Sequence, residues 1–198
     1  LAGCTKKLSW ECKRGHTWEI SPSNRTLRSA GCPYCANKKV LPGFNDLKTK
    51  FPEIAKEANG WDPSIVLPGT GKKLPWKCKE GHTWNNSANS RTYGESRCPF
   101  CAHQMLWVGF NDLETLFPEV AAEADGWDPS TVIAGTHKKM PWKCKEGHTW
   151  ENSVVQRSYE KHGCPYCSNQ KILVGFNDLK TKFPEVAKEA DGWDPSTV

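Results

Sequence analysis

The sequence predicts a small α+β fold built three times in tandem, each copy a short β-hairpin with short helices. Two observations carry this. The 198-residue chain repeats itself with a period of 66 residues, a unit too small to bury a generous core by itself. At one position in every period the pattern Cys, three residues, His, fifteen residues, Cys, two residues, Cys recurs. That spacing suits four ligands of one metal ion, and threefold repetition removes coincidence as an explanation.

The ligand sets are Cys12, His16, Cys32 and Cys35; Cys78, His82, Cys98 and Cys101; and Cys144, His148, Cys164 and Cys167. Thiolate and neutral imidazole suit zinc, and four protein ligands leave no position for water, so three structural Zn2+ ions are expected, one per repeat. A disulfide framework would leave the three histidines unexplained. Nine of the ten cysteines are used; the tenth, Cys4, stands where the other copies have Thr70 and Thr136. On this register the modules are 1–66, 67–132 and 133–198. Each divides into a zinc core (1–39, 67–106, 133–172) and a helical connector (40–66, 107–132, 173–198).

The middle copy shows the elements in order. Lys72 to Cys78 reads as a short strand entering a tight turn, where Gly81 beside His82 lets the backbone reverse. Thr83 and Trp84 begin the returning strand, and the half-polar stretch to Arg91 reads as part of that hairpin. Cys98-Pro99-Phe100-Cys101 forms the second metal-binding turn, stiffened by its proline. Asn111 or Asp112 then caps a helical stretch running to Ala124, which Pro118 splits or kinks. Gly126-Trp127-Asp128-Pro129 ends it in a turn.

Trp76-Lys77-Cys78-Lys79-Glu80-Gly81-His82-Thr83-Trp84, followed by Arg91 and Cys98-Pro99-Phe100-Cys101, resembles the treble-clef or zinc-ribbon tandem-repeat family. The Asn-Asp-Leu, Phe-Pro-Glu and Trp-Asp-Pro pieces of the connectors resemble it too, and the likeness covers nearly all of the chain. It implies three tandem treble-clef/zinc-ribbon-like modules and zinc. It also implies an association with nucleic acid, since such arrays sometimes occur beside endonuclease-like domains. Ser9 departs from the pattern, where the other copies have Pro75 and Pro141.

Nine of the ten tryptophans are periodic: Trp10, Trp76 and Trp142 before the first Cys, Trp18, Trp84 and Trp150 after the His, and Trp61, Trp127 and Trp193 in the turn. The first two sets are expected to cover the metal and fill the small core. The turn set is placed to pack one module against the next. Stacking on bases is the functional alternative.

The formal net charge is +5. Each Zn2+ bound by three thiolates carries a net −1, which lowers the loaded total to about +2. Charge is nevertheless segregated: residues 1–39 hold eight bases and two acids, whereas 107–132 holds six acids and no base. Lys6, Lys7, Lys72, Lys73, Lys138 and Lys139, with Arg25, Arg91 and Arg157 at one repeated position, form a candidate row of phosphate contacts along DNA or RNA. The repeated Arg equally suits an internal carbonyl or an aromatic stack. The alternative is a structural or protein-interaction scaffold, in which acidic connectors dock on basic cores of the same or another chain and repeats stack head to tail into a filament.

No enzyme is expected, and no small-molecule substrate. His103, His137 and His162 fall at unrelated positions in the period, without a repeated nucleophile or carboxylate beside them. Asp62, Asp128 and Asp194 precede prolines and read as turn-formers. No apolar run is long enough to span a membrane, and unoxidised ligand thiols point to a reducing compartment, the cytoplasm. There is no initiator Met, and Gly192 to Val198 repeats Gly126 to Val132, after which the next module begins. The chain is therefore expected to be an excerpt of a longer array or a processed product.

Overall fold

The structure, a computed structural model, describes residues 3–198; Leu1 and Ala2, which open the first module, lie outside the described residues. Two compact units divide the chain, residues 1–99 and 100–198. The first contains β1 (Leu8–Glu11), β2 (Thr17–Ile20), α1 (Pro22–Thr26), α2 (Leu47–Lys50), α3 (Pro52–Ala55), β3 (Lys73–Lys77), β4 (Thr83–Ser87) and α4 (Ala88–Thr92). The second contains α5 (Leu113–Leu116), α6 (Pro118–Ala121), β5 (Lys139–Lys143), β6 (Thr149–Ser153), α7 (Val154–Ser158), α8 (Leu179–Lys182) and α9 (Pro184–Ala187). Each two-stranded sheet is an antiparallel hairpin: β1 with β2, β3 with β4, and β5 with β6.

Register sets the small cores. Trp10 lies opposite Trp18, Trp76 opposite Trp84, and Trp142 opposite Trp150, so the period-2 alternation of a strand sends both rings of each hairpin to one face. A repeated arginine lies over both. Arg91 sits 5.3 and 5.4 Å from the Trp76 and Trp84 rings, and Arg157 sits 5.2 and 5.3 Å from those of Trp142 and Trp150. In the second unit the same core gathers Leu113, Ala121, Ala134, Val154 and Cys164.

The arginine arrives on a helix. The hairpin expected to run to Arg91 ends instead at Ser87, whose hydroxyl accepts from the Ser90 N–H at 3.0 Å and starts α4. Five residues are too few to reveal a helical period, but the serine cap is the local cause. The connector helices follow the expected split. Asp112 caps α5 by accepting from the Thr115 N–H at 2.8 Å, and Phe117, in a non-helical conformation, separates α5 from α6 ahead of Pro118. Asp128 likewise accepts from the Ser130 N–H and opens a 3-10 turn, Pro129–Thr131.

Each interior connector docks on the hairpin that follows it. In the first unit the Lys77 N–H donates to the Glu57 carbonyl at 2.8 Å, and the Pro75 carbonyl accepts from the Asn59 N–H at 3.1 Å and from Trp61 Nε1 at 2.6 Å. The second unit repeats this: Lys143 N–H to Glu123 carbonyl at 2.8 Å, with Pro141 carbonyl accepting from Asp125 N–H at 3.2 Å and from Trp127 Nε1 at 2.7 Å. The turn tryptophans meet the hairpin tryptophans edge to face, Trp61 on Trp76 and Trp127 on Trp142, both at 5.1 Å. A strand edge that would stand open is thus covered by the connector.

Candidate metal centre

The first Cys and the His of each set lie at the two ends of a tight turn. Cys12 N–H donates to the His16 carbonyl and Gly15 N–H to the Cys12 carbonyl, and the same pairs recur at Cys78 and Cys144. Gly15, Gly81 and Gly147 hold φ at +77°, +86° and +84°, values that cost other residues energy through a Cβ clash. The second turn brings the remaining two thiols beneath them, and Cys12, His16, Cys32 and Cys35 converge, as do the other two sets.

The convergence has the dimensions of a tetrahedron. In the first set His16 Nδ1 lies 3.5, 3.7 and 3.3 Å from the sulfurs of Cys12, Cys32 and Cys35, and Cys12 Sγ lies 3.8 Å from Cys35 Sγ. In the third, His148 Nδ1 lies 3.6, 3.7 and 3.3 Å from Cys144, Cys164 and Cys167, with Cys144 Sγ 3.9 Å from Cys167 Sγ. In the second, His82 Nδ1 is 3.5 Å from Cys78 Sγ and 3.7 Å from Cys98 Sγ. Ligands about 2.3 Å (sulfur) and about 2.0 Å (nitrogen) from one tetrahedral ion stand about 3.8 and 3.5 Å apart. The residues fit a four-coordinate ion with no open position.

Electrostatics supports the same conclusion. At Cys12, lost solvation raises the thiol pKa. Backbone N–H groups of Arg14 and His16, with the Cys35 and Cys32 thiols, outweigh this and bring it below the ordinary value. Lost solvation and the neighbouring Cys32 and Cys12 push Cys35 up to about 11, and their counterparts push Cys167 up to about 12. Three thiols this close cannot all ionise unaided, and a dication at their centre is what makes a full set of thiolates favourable.

Around the ligands stand residues the spacing argument did not single out. The His16 ring meets Phe44 at 4.2 Å and Tyr34 at 5.9 Å; His148 meets Phe176 at 4.1 Å and Tyr166 at 5.7 Å. Asn45 clamps the second turn to the connector: its Nδ2 donates to the Tyr34 and Lys39 carbonyls at 2.9 Å, and its Oδ1 accepts from the Leu41 N–H at 2.7 Å. Asn111 and Asn177 repeat this clamp. In the Asn-Asp pair, therefore, the Asp caps the helix and the Asn holds the metal-binding turn. Repetition of Gly-Phe-Asn-Asp at one register was the available signal.

The basic residues separate into two groups. Lys6, Lys7, Lys72, Lys73, Lys138 and Lys139 are exposed. Arg91 and Arg157, two of the candidate phosphate contacts, are only 6 % exposed and are committed internally. Arg91 donates to the Ser96 carbonyl and pairs with Glu57; Arg157 donates to the His162 carbonyl and pairs with Glu123. Buried between two indoles and a carboxylate, neither guanidinium is free to meet a phosphate. Arg25 is half-buried over Trp10 and Trp18 and donates to the Ala30 carbonyl at 2.7 Å. Cys4 stands apart from the ligand sets. No helix among the described residues is long and apolar enough to cross a membrane.

A small hairpin with short helices and a Cys3His set, occurring three times, defines a tandem array of zinc-finger-like modules. The chain belongs to the family described as Probable Treble clef zinc finger domain, which matches residues 1–38, 52–104 and 119–170, more than half of the sequence. It is also similar to a protein of Escherichia phage T5 named "Putative endonuclease", 26 % identical over 104 residues. That match covers 52 % of this chain and 35 % of the phage protein, so the chain spans about a third of the relative's length.

Proposed function

We propose that the chain is a non-catalytic array whose three Cys3His sites hold structural Zn2+ and whose zinc cores bind nucleic acid through exposed lysines. Three sulfurs and one imidazole nitrogen at tetrahedral spacing favour zinc over the harder oxygen-seeking cations. The ion's contribution is to fold each module; the chain's residues hold it and present the surface. The observation that carries the binding reading is the lysine pair preceding or entering each hairpin, exposed in all three copies at one 66-residue register. The name of the phage relative supports it. With Arg91 and Arg157 internal, the proposed phosphate contacts are Lys6, Lys7, Lys72, Lys73, Lys138 and Lys139.

Binding of the zinc-loaded protein to duplex DNA, single-stranded DNA and RNA across a salt series tests this. Affinity should fall steeply with salt, and replacing the six lysines by Gln should flatten the slope, by roughly 0.7–0.9 for each phosphate left without its lysine. No salt-sensitive binding near about 50 mM salt would defeat the reading. Docking of each interior connector on the next hairpin favours a second reading, a scaffold whose repeats stack head to tail.

A further inference from the structure

Each interior connector meets the zinc core that follows it through one repeated aromatic pair. Phe51 packs edge to face on Tyr93 at 5.7 Å, and Phe117 on Tyr159 at 5.0 Å. The phenylalanines are half-buried, whereas Tyr93 is 64 % exposed and Tyr159 50 %. A glycine lies against each tyrosine: a Cβ on Gly69 would stand 3.9 Å from Tyr93 Cε2, and one on Gly135 3.6 Å from Tyr159 Cε2. The Thr92 hydroxyl donates to the Pro68 carbonyl and the Asn89 N–H to the Thr70 carbonyl, both at 3.0 Å, which ties α4 to that wall. A ring held on one side and exposed to solvent adds little to a core but makes a platform for stacking.

The two platforms differ in the charge around them. Lys50, Phe51, Gly69, Thr70 and Tyr93 help to line a pocket of about 440 Å³ within the first unit, and Lys50 is the one charged residue among those lining it. Lys50 is exposed and has no carboxylate partner among the described residues. At the second platform Leu116 stands at the register of Lys50, and α5 carries Glu114 where α2 carries Lys48. Thr70 precedes Lys72 and Lys73 by two and three residues, so their backbone lies within about 7–11 Å of the first pocket's wall.

We propose that this first pocket binds one nucleotide of a single strand, its base stacked on the Tyr93 ring and its phosphate paired with Lys50. A base reaches an aromatic face only when it is free of its own duplex stack, so the contact selects single strands. An exposed ring for the base, with an unpaired cation and no lining carboxylate to repel the phosphate, complements a nucleotide and not a cation or an acid-binding partner. The inference rests on the nucleic-acid reading and adds strand selectivity, which exposed lysines alone do not supply.

Fluorescence anisotropy of labelled oligothymidylate, oligouridylate and a DNA duplex of equal length, titrated with the full zinc-loaded chain near about 50 mM salt and above, is the test. Tyr93→Ala should weaken single-strand binding about 5- to 150-fold, the contribution of one stacked base, and leave duplex binding unchanged. Tyr93→Phe should keep the affinity. Lys50→Leu, which installs the residue of the second connector, should lower the single-strand salt slope by about 0.7, one phosphate. Whichever of the DNA and RNA strands loses more affinity is the preferred ligand. Salt-sensitive single-strand binding that Tyr93→Ala leaves intact overturns the pocket while the lysine reading stands, and so does equal weakening of single strand and duplex. Absence of binding to all three probes defeats both readings. Should Tyr93→Ala lose metal, Lys50→Leu decides, and an unchanged slope overturns the proposal.

Discussion

Trp142 and Trp10 occupy the same place in their hairpins, and each Nε1 donates to a cross-strand carbonyl, Asn152 at 2.9 Å and Ile20 at 2.8 Å. Trp142 is fully buried and Trp10 is not. The difference comes from the connector: Trp127, Glu123 and the Ala124 backbone cover β5, while β1 has no such cover among the described residues. The hairpin thus keeps the same register with or without a preceding connector among the described residues, and where that connector is present it buries the hairpin tryptophan. Tertiary burial, not local hydrogen bonding, separates the two copies.

Metal removal should have the largest effect and override the comparison. Structural zinc supplies an apparent roughly 10–16 kcal/mol in small fingers at neutral pH, so excess chelator should collapse the circular-dichroism spectrum of the whole chain. A limiting chelator should sharpen the comparison. The unsealed first site should empty before the third, seen by native mass spectrometry with Cys35→Ser and Cys167→Ser to assign the loss.

Trp142→Ala should cost about 3–5 kcal/mol, the range for deleting a buried aromatic. Trp10→Ala should cost clearly less, and equal costs by denaturant unfolding would argue that the connector adds no burial. Next, Glu123→Ala leaves Arg157 buried with one partner fewer and should cost about 1–3 kcal/mol. Glu189→Ala in dilute protein should stay within about 0.5 kcal/mol of zero.

The smallest effect is a helix cap common to all copies. Burial raises the Asp112 pKa, but bonds from the Thr115 N–H and hydroxyl and the Gly109 N–H outweigh it and hold the carboxyl below its ordinary 3.8. A depressed folded pKa contributes stability above the unfolded value and loses it as pH falls through the folded value. Asp112→Ala should therefore cost about 0.5–2 kcal/mol at neutral pH. Its difference from the parent chain should shrink only below about pH 4, where carboxylates protonate. Zinc release by thiol protonation must be monitored alongside.

The twelve ligands were legible because a metal tetrahedron imposes a fixed local spacing, and the split connector helices because proline and aspartate act within a turn. Glu57 with Arg91, and Glu123 with Arg157, were not legible, since each pair spans 34 residues and only folding brings the two together. For the same reason the sequence left Arg91 and Arg157 open between a phosphate contact and an internal carbonyl bond or aromatic stack, and the fold takes the internal option. The helix from Ala88 to Thr92 was hidden by its shortness, and the Asn45 clamp by its resemblance to a cap.

Hydrogen exchange at the Nε1 positions of Trp10, Trp76 and Trp142 in the dilute zinc-loaded chain tests the sealing claim most directly. All three donate to equivalent carbonyls, at 2.8, 2.8 and 2.9 Å, so only the connector distinguishes them. Strong protection of Trp76 and Trp142 with faster exchange at Trp10 is the predicted result. Equal protection of all three would contradict it.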